Sequence, residues 1–394
     1  MGASEPVGII PFWQERAMQR FCAIIVWVPI MAVEPSVRAE DKPPDTRPAT
    51  QPAVRGIDWP AFLVHDAAVQ AELKLTNAQQ AGVRGVVAEL AGSLWELRNY
   101  PPDQQATRSR SLATRLRAKL KPLLSATQRE RLGQITFRAR GAAAALEPET
   151  ASRLALTDDQ RERIQAAVRK ARIASETLDS LVASSQHREA RDVVSRRIRT
   201  EEYNTLISIL SAAQEKEWTA LSGKPFDLSQ IKPFLVPAPE LRGKQTWVNS
   251  KPLTLAGLRG QVVVVHFWTF GCINCIHNYA AYRNWQKTFA QKGVTLVGIH
   301  TPETDGEHSV EKLREKTKEN ELTFPILVDN ERENWKAWSN NIWPAVYLVD
   351  KQGRIRYWWY GELNWQGATG EKLMTTRIEE LLREKPEHVK TVSN

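Results

Sequence analysis

Cysteine is scarce in this chain: there are three among 394 residues, Cys22 near the N-terminus and Cys272 with Cys275 far downstream. So few thiols exclude a framework stapled by several disulfides. With no second cysteine pair, a structural zinc site of about four ligands lacks its donors. Long apolar runs are absent too. The longest candidate, residues 21–33, is apolar for 13 residues, short of the roughly 20 that a spanning helix needs. Charge of one sign does not dominate either: 54 Lys and Arg against 45 Asp and Glu give +9, and the basic residues interleave with acids along helical faces. That pattern is a solvated surface, and no nucleic-acid partner is expected. What remains is 42% hydrophobic and 25% charged, an ordinary soluble composition with length enough for two domains.

The apolar stretch follows Arg16 and Arg20 with no acid between them, and Val37-Arg38-Ala39 offers compact residues at the cleavage positions. Residues 1–39 therefore read as a signal peptide, with Met18 as an alternative start and an uncleaved membrane anchor as the alternative fate. Cleavage would remove Cys22 and leave the Cys272–Cys275 pair alone in an extracytoplasmic, periplasmic setting. Residues 40–58 carry Pro43, Pro44, Pro48 and Pro52 without apolar periodicity, which predicts a disordered Pro-rich linker.

From 59 to 222 glycine and β-strand patterns become rare and apolar residues recur at helical steps, as at Leu90, Leu94 and Leu97. A short signature, Leu-[Thr/Ser]-x-x-Gln, begins at Leu75, Leu124, Leu156 and Leu210, with spacings of 49, 32 and 54 residues. That is two units, each bounded by two signatures. Physically the signature is a capping box, in which the hydroxyl and the glutamine satisfy each other's backbone N–H groups at a helix start. Four capped helices would suffice to explain it. The pairing also resembles the LTxxQ repeats of Spy/CpxP-type periplasmic proteins, which implies an exported helical module able to hold a partner.

Residues 223–241, with Pro225, Pro233, Pro237 and Pro239, read as a hinge, and 242–390 as a second domain. Segments 245–248 and 252–255 suggest a hairpin. Residues 262–267 form a continuous apolar, β-branched run typical of a buried central strand, and 276–292 a helix. Strands at 294–300 and 325–329, helices at 310–320 and 333–338, a hairpin at 345–350 and 355–359, and a closing helix at 372–383 complete the order. That order, β-α-β-α-β-β-α, is a thioredoxin fold with an insertion. The fold class is thus multidomain: an all-α helical repeat domain followed by an α/β thioredoxin-fold domain.

The Cys272-Ile273-Asn274-Cys275 motif falls where the buried strand passes into a helix N-terminus. Unpaired N–H groups and the helix dipole there lower the pKa of the first thiol, and the two-residue spacing lets the second close a disulfide. A c-type haem needs His directly after the second Cys, where Ile276 stands. Thr269, three residues before Cys272, fits a peroxidatic cysteine, but Val265 holds the place where that pattern has proline. A dithiol/disulfide centre fits strand, helix and setting together.

Several stretches, in order, carry a closer resemblance. Pro239-Glu240-Leu241, Trp247-Val248-Asn249, Leu258-Arg259-Gly260, Phe267-Trp268-Thr269 before the cysteines, Gly298-Ile299-His300-Thr301-Pro302-Glu303, Asp329-Asn330 and Trp343-Pro344-Ala345 resemble TlpA/ResA/DipZ-type thioredoxin-like domains over 237–382. The resemblance implies a thiol–disulfide oxidoreductase needing no cofactor or metal. Cys272 would attack, Cys275 resolve, and Trp343-Pro344 form a cis-proline loop facing the disulfide. Trp268, Gly271 and Trp343 would contact the client. Such domains carry a proton-moving aspartate six residues before the first cysteine; here it is His266, either a proton acceptor or a packed strand residue. The implied partners are exported proteins with thiols or disulfides and a membrane or periplasmic redox protein. Two other classes stay open, a thiol-dependent peroxidase and a stress-related client-binding protein with an accessory redoxin. The Ile273-Asn274 dipeptide does not fix the redox direction.

Overall fold

The computed structural model describes residues 49–50, 59–181, 188–232, 234–242 and 246–385; the signal peptide expected at 1–39 lies outside them. Within the stretch read as a disordered linker, β1 (Ala49–Thr50) pairs antiparallel with a C-terminal strand at Trp358 and Tyr357. Edge strands this short need only one free row of backbone groups, which is why no apolar alternation announced it.

Helices fill the next region as its composition predicts: α1 (Ala67–Glu72), α2 (Asn77–Glu96), α3 (Pro102–Leu120), α4 (Ala126–Arg140), α5 (Pro148–Arg153), α6 (Asp158–Leu181), α7 (Arg188–Ile209) and α8 (Ala212–Ser222). Among the described residues no helix is long and apolar enough to cross a membrane. Thr76, Ser125, Thr157 and Ser211 each accept the N–H of the glutamine three residues on, and each glutamine side chain accepts the cap's own N–H.

The glutamines also do something the capping box does not require. Gln79 donates to Gln128 Oε1 (2.8 Å) and Leu123 O, while Gln128 donates to Gln79 Oε1 (3.2 Å) and Leu73 O. Gln160 and Gln214 repeat the exchange at 2.8 and 3.0 Å, with Ile209 O and Leu154 O as the outer acceptors. Two signatures thus clasp each other and close each helical unit.

Among the described residues seven strands form one sheet in the order β1-β7-β6-β3-β4-β5-β2, with β2 (Trp247–Val248), β3 (Val262–Trp268), β4 (Val294–His300), β5 (Ile326–Val328), β6 (Ala345–Val349) and β7 (Ile355–Tyr360). The central strand β3 runs parallel to β4 and antiparallel to β6. The helices α9 (Ile273–His277), α10 (Tyr279–Phe289), α11 (Val310–Glu319) and α12 (Glu333–Ala337) lie between strands, and α13 (Gly370–Arg383) follows β7. This is the thioredoxin-type α/β arrangement expected of the C-terminal domain.

Three local expectations change. Trp247 and Val248 pair with Leu327 and Ile326, not with 252–255. That second segment stays irregular because the Glu240 carboxylate takes the N–H groups of Leu255 (2.6 Å) and Ala256 (3.0 Å). The helix read as 276–292 starts earlier and breaks at buried Asn278, whose side chain donates to Gly361 O and accepts from Leu363 N. The segment 223–241 is no free hinge: Phe234, Val236 and Leu241 are buried in a core shared with the sheet.

That shared core runs from the first helical unit straight into β3, β6 and β7. Phe62, Leu90, Leu94, Trp95 and Leu116 lie in one cluster with Val263, Val265, Phe267, Tyr347 and Trp358. Trp95 meets Trp358 and Tyr347 edge-on at 5.1 and 5.9 Å. The second unit keeps a separate core around Ala144, Leu154, Ile164, Leu206 and Trp218. The described residues from Trp59 onward belong to one compact unit. Replacing Gln128 with Ala removes one cap acceptor and the clasp donor together, and should cost about 1–3 kcal/mol, read as a lower urea midpoint at unchanged slope.

Candidate functional site

Strand β3 ends at Trp268, and the chain turns over the end of the sheet through Thr269, Phe270 and Gly271 to reach Cys272. Cys272 is extended (φ −85°, ψ 115°) and is the N-cap of α9. Its carbonyl takes the N–H groups of Cys275 (3.0 Å) and Ile276 (3.1 Å), the first bonds of the helix. One turn separates the two thiols, and the turn sets their exposures apart: Cys272 is half-buried and Cys275 fully buried, both with free thiols.

Burial and hydrogen bonding push the two in opposite directions. The hydrogen bond from Cys275, helped by the backbone N–H groups of Cys275 and Asn274, holds the Cys272 thiol down to about 7 against its partial burial and the Glu303 carboxylate. Burial pushes Cys275 well above the usual thiol range, and its hydrogen bond to Cys272 adds to that. At neutral pH the outer sulfur is therefore substantially thiolate and the inner one a thiol.

Pro344 follows a cis peptide bond from Trp343. Ala345 stands opposite Phe267 in the β3–β6 register, so Pro344 lies beside the Trp268 end of β3, where the Cys272 loop departs. Phe270, Cys272 and Trp343 are half-buried against one core cluster. Trp343 is fixed by its Nε1 bond to Thr301 O (3.0 Å) and by Trp335 at a 4.0 Å ring separation. Ile273 and Ile276 leave an apolar rim exposed on α9, and exposed Trp365 stacks on His277 at 4.7 Å.

Two sequence expectations fall differently. Trp268 cannot meet a client: it is fully buried, edge-on to Tyr279 and His300 at 5.6 and 5.3 Å. Strand alternation puts it on the face beneath α9 and α10. His266, on the same face, is fully buried and stacked on Tyr282 at 4.0 Å, with neither ring nitrogen hydrogen-bonded among the described residues. Burial lowers its pKa to about 3, so it is neutral.

Gly271 is exposed, yet a Cβ there would lie 2.0 Å from Glu307 Oε1. Glu307 itself is buried, and its Oε2 accepts the N–H groups of Glu303 (2.6 Å) and Thr304 (3.0 Å). The sequence reading passed over Glu307, although the Thr304-x-x-Glu307 spacing is a capping signal. Thr269, read from sequence only as a possible sign of a peroxidatic cysteine, places its Oγ1 3.2 Å from the Nε2 of buried His300 and links the cysteine loop to β4.

Residues 236–358 match the AhpC/TSA family. Protein DipZ of Mycobacterium bovis is 34% identical over 128 residues, covering 32% of this chain and 18% of DipZ, so the chain spans about a fifth of that relative's length. The thiol-disulfide oxidoreductase YkuV of Bacillus subtilis is 26% identical over 148 residues, covering 38% of this chain and 95% of YkuV. Among solved structures, a thiol-disulfide isomerase from Corynebacterium glutamicum is 26% identical, with a TM-score of 0.33, over 38% of this chain and 98% of its own. Over residues 236–358 the C-terminal region is thus similar to AhpC/TSA redoxins, on a thioredoxin-type sheet.

The rate of alkylation of Cys272 by iodoacetamide should rise with pH through a midpoint near 7 and then level off, while Cys275 stays unmodified well past that plateau. Peptide mapping by mass spectrometry distinguishes the two thiols. Gly271→Ala should displace Glu307 from the Glu303 and Thr304 amides, which would register as faster amide hydrogen exchange at those two positions.

Proposed function

We propose that this chain is an exported thiol–disulfide oxidoreductase that exchanges disulfides with client proteins through Cys272 and Cys275. One observation carries the reading: two thiols a helical turn apart, the outer one acidified and reachable, the inner one buried and protonated. The Cys272 thiolate attacks one sulfur of a client disulfide. The client S–S bond breaks, its other sulfur leaves as a thiolate and takes a proton, and a mixed disulfide joins Cys272 to the client. Cys275 then attacks the Cys272 sulfur, passing its proton to the departing client sulfur. Two electrons move from the Cys272–Cys275 dithiol to the client; the reverse sequence oxidises a client dithiol.

In this reading Pro344, Trp343 and Gly271 border the place where client backbone passes, with Ile273 and Ile276 as the apolar rim. His266 is a packing residue, since a group titrating near 3 is a poor acceptor for the proton of a thiol raised far above it. The similarity to the thiol-disulfide oxidoreductase YkuV supports the reaction class. The signal peptide expected at 1–39 would put the protein outside the cytoplasm, where a membrane or periplasmic redox protein would supply or accept the electrons. The AhpC/TSA match favours a second reading, reduction of a hydroperoxide by Cys272 with resolution by Cys275.

The deciding measurement is equilibration of the Cys272–Cys275 pair against glutathione and dithiothreitol buffers, with insulin and hydrogen peroxide as alternative substrates. The expected result is a reversible two-electron couple, insulin disulfide reduction abolished in Cys272→Ser, and a trapped mixed disulfide in Cys275→Ser. A potential near −270 mV marks a reductase and one near −120 mV an oxidant, roughly the ends of the thioredoxin-like range. Absence of a reversible couple would sink the exchange mechanism, and peroxide consumption without insulin turnover would favour the second reading.

A further inference from the structure

The helical region reaches the loop that carries Pro344, and it does so with a concentrated set of donors. Trp338 O and Ser339 O, at the C-terminal end of α12, accept from Trp95 Nε1 (2.8 Å), Arg98 Nη2 (2.9 and 2.7 Å) and Asn99 Nδ2 (2.7 Å). All three donors sit at the end of α2 or in the 3₁₀ turn Leu97–Asn99 that follows it. Ser339 holds φ at +47°, a left-handed conformation uncommon for a residue with a Cβ. Its carbonyl, like that of Trp338, belongs to the helix end, whose orphan acceptors attract cations and N–H donors.

Arg98 is tied on its other edges as well. Nε donates to Tyr360 OH (2.7 Å) and Nη1 to Trp95 O (2.6 Å), and the guanidinium lies 3.8 Å above the Trp95 ring. Among the described residues its donors go to carbonyls and phenols and none to a carboxylate, so the fork positions its neighbours and does not neutralise an acid. From Ser339 the chain of contacts continues toward the site. Buried Asn340 accepts from Tyr347 OH (2.5 Å) and donates to Ile342 O (2.9 Å), and Ile342 directly precedes Trp343 and Pro344. None of these hydrogen bonds involves either cysteine.

We infer that Arg98 is a positioning residue for disulfide exchange: through the Ser339 and Asn340 contacts, the helical region sets the loop of Trp343 and Pro344 against which a client chain must lie. The inference rests on the exchange reading above. It assigns the helical region a part in client engagement that the redoxin fold alone does not supply. A planar fork is needed, because Lys could satisfy one of these acceptors but not the set.

The test uses the full chain with Arg98→Met and Arg98→Lys, and with Asn99→Ala as a milder variant that removes a single donor. Exchange is measured with a disulfide-linked peptide client and, separately, with glutathione disulfide, which is too small to need the loop. The expected result for Arg98→Met is a KM for the peptide raised about tenfold with little change in kcat. The glutathione disulfide rate, the alkylation midpoint of Cys272 and the reduction potential should stay at wild-type values. Arg98→Lys should recover part of the loss, and Asn99→Ala should show a smaller loss of the same kind. Unchanged peptide kinetics in the two Arg98 variants would overturn the inference. So would a loss shared equally by peptide, glutathione disulfide and thermal stability. If Arg98→Met does not fold, unchanged peptide kinetics in Asn99→Ala and Arg98→Lys overturn it alone. Wild-type protein inert toward both substrates would instead refute the exchange reading itself.

Discussion

A strand that is apolar on both sides must be covered on both sides, and this constraint organises the molecule. Every residue of β3 is buried, with Val262, Val264 and Trp268 facing one cluster and Val263, Val265 and Phe267 the other. The redoxin's own α10 and α13 cover the first face. On the second face Phe267 packs on Trp335 and Trp338 of the α12 segment, and the same cluster continues through Phe234, Val236 and Leu241 into α2, α3 and residues 59–65 of the helical region. Hydrophobic burial on this scale is the dominant stabilising term in folding. The helical region is therefore part of the redoxin's core and not a neighbour on a tether. Only the second helical unit, with its own cluster around Trp218, stands apart from the sheet.

The contrast between the two thiols follows from one turn of helix placed at the end of that strand. Because α9 begins at Cys272, the first thiol meets solvent and backbone N–H groups, while the second points into the core under Tyr279 and Tyr282. The same residue type acquires opposite character three positions apart. The carboxylate of Glu307 sits under Gly271 and holds the loop after β4 close to the cysteine turn. The walls of the site thus come from β3, β4 and the segment before β6, three strands that the sheet fixes side by side.

Features set by local chemistry were legible in the sequence. The Cys-x-x-Cys at a strand-to-helix passage, the four capping boxes and the β6–β7 hairpin all depend on residues within a few positions of one another. Features set by distant partners were not. Nothing near Gln79 announces Gln128, and nothing near Arg98 announces Ser339, some 240 positions on. The segment at 252–255 has a strand-like composition, but its amides are taken by Glu240, so local pattern lost to a tertiary hydrogen bond. Trp268 shows the reverse case. Alternation along β3 already placed it inside, yet its nearness to the cysteines made it look like a contact residue.

The glutamine clasps have a consequence beyond closing the two helical units. Each is built from amide and carbonyl groups, with no ionisable side chain among the bonded atoms. Ion pairs weaken as salt screens them and vanish when a carboxylate is protonated; neutral amide pairs do neither. The geometry of these joints is therefore indifferent to the acidity and ionic strength of the surroundings.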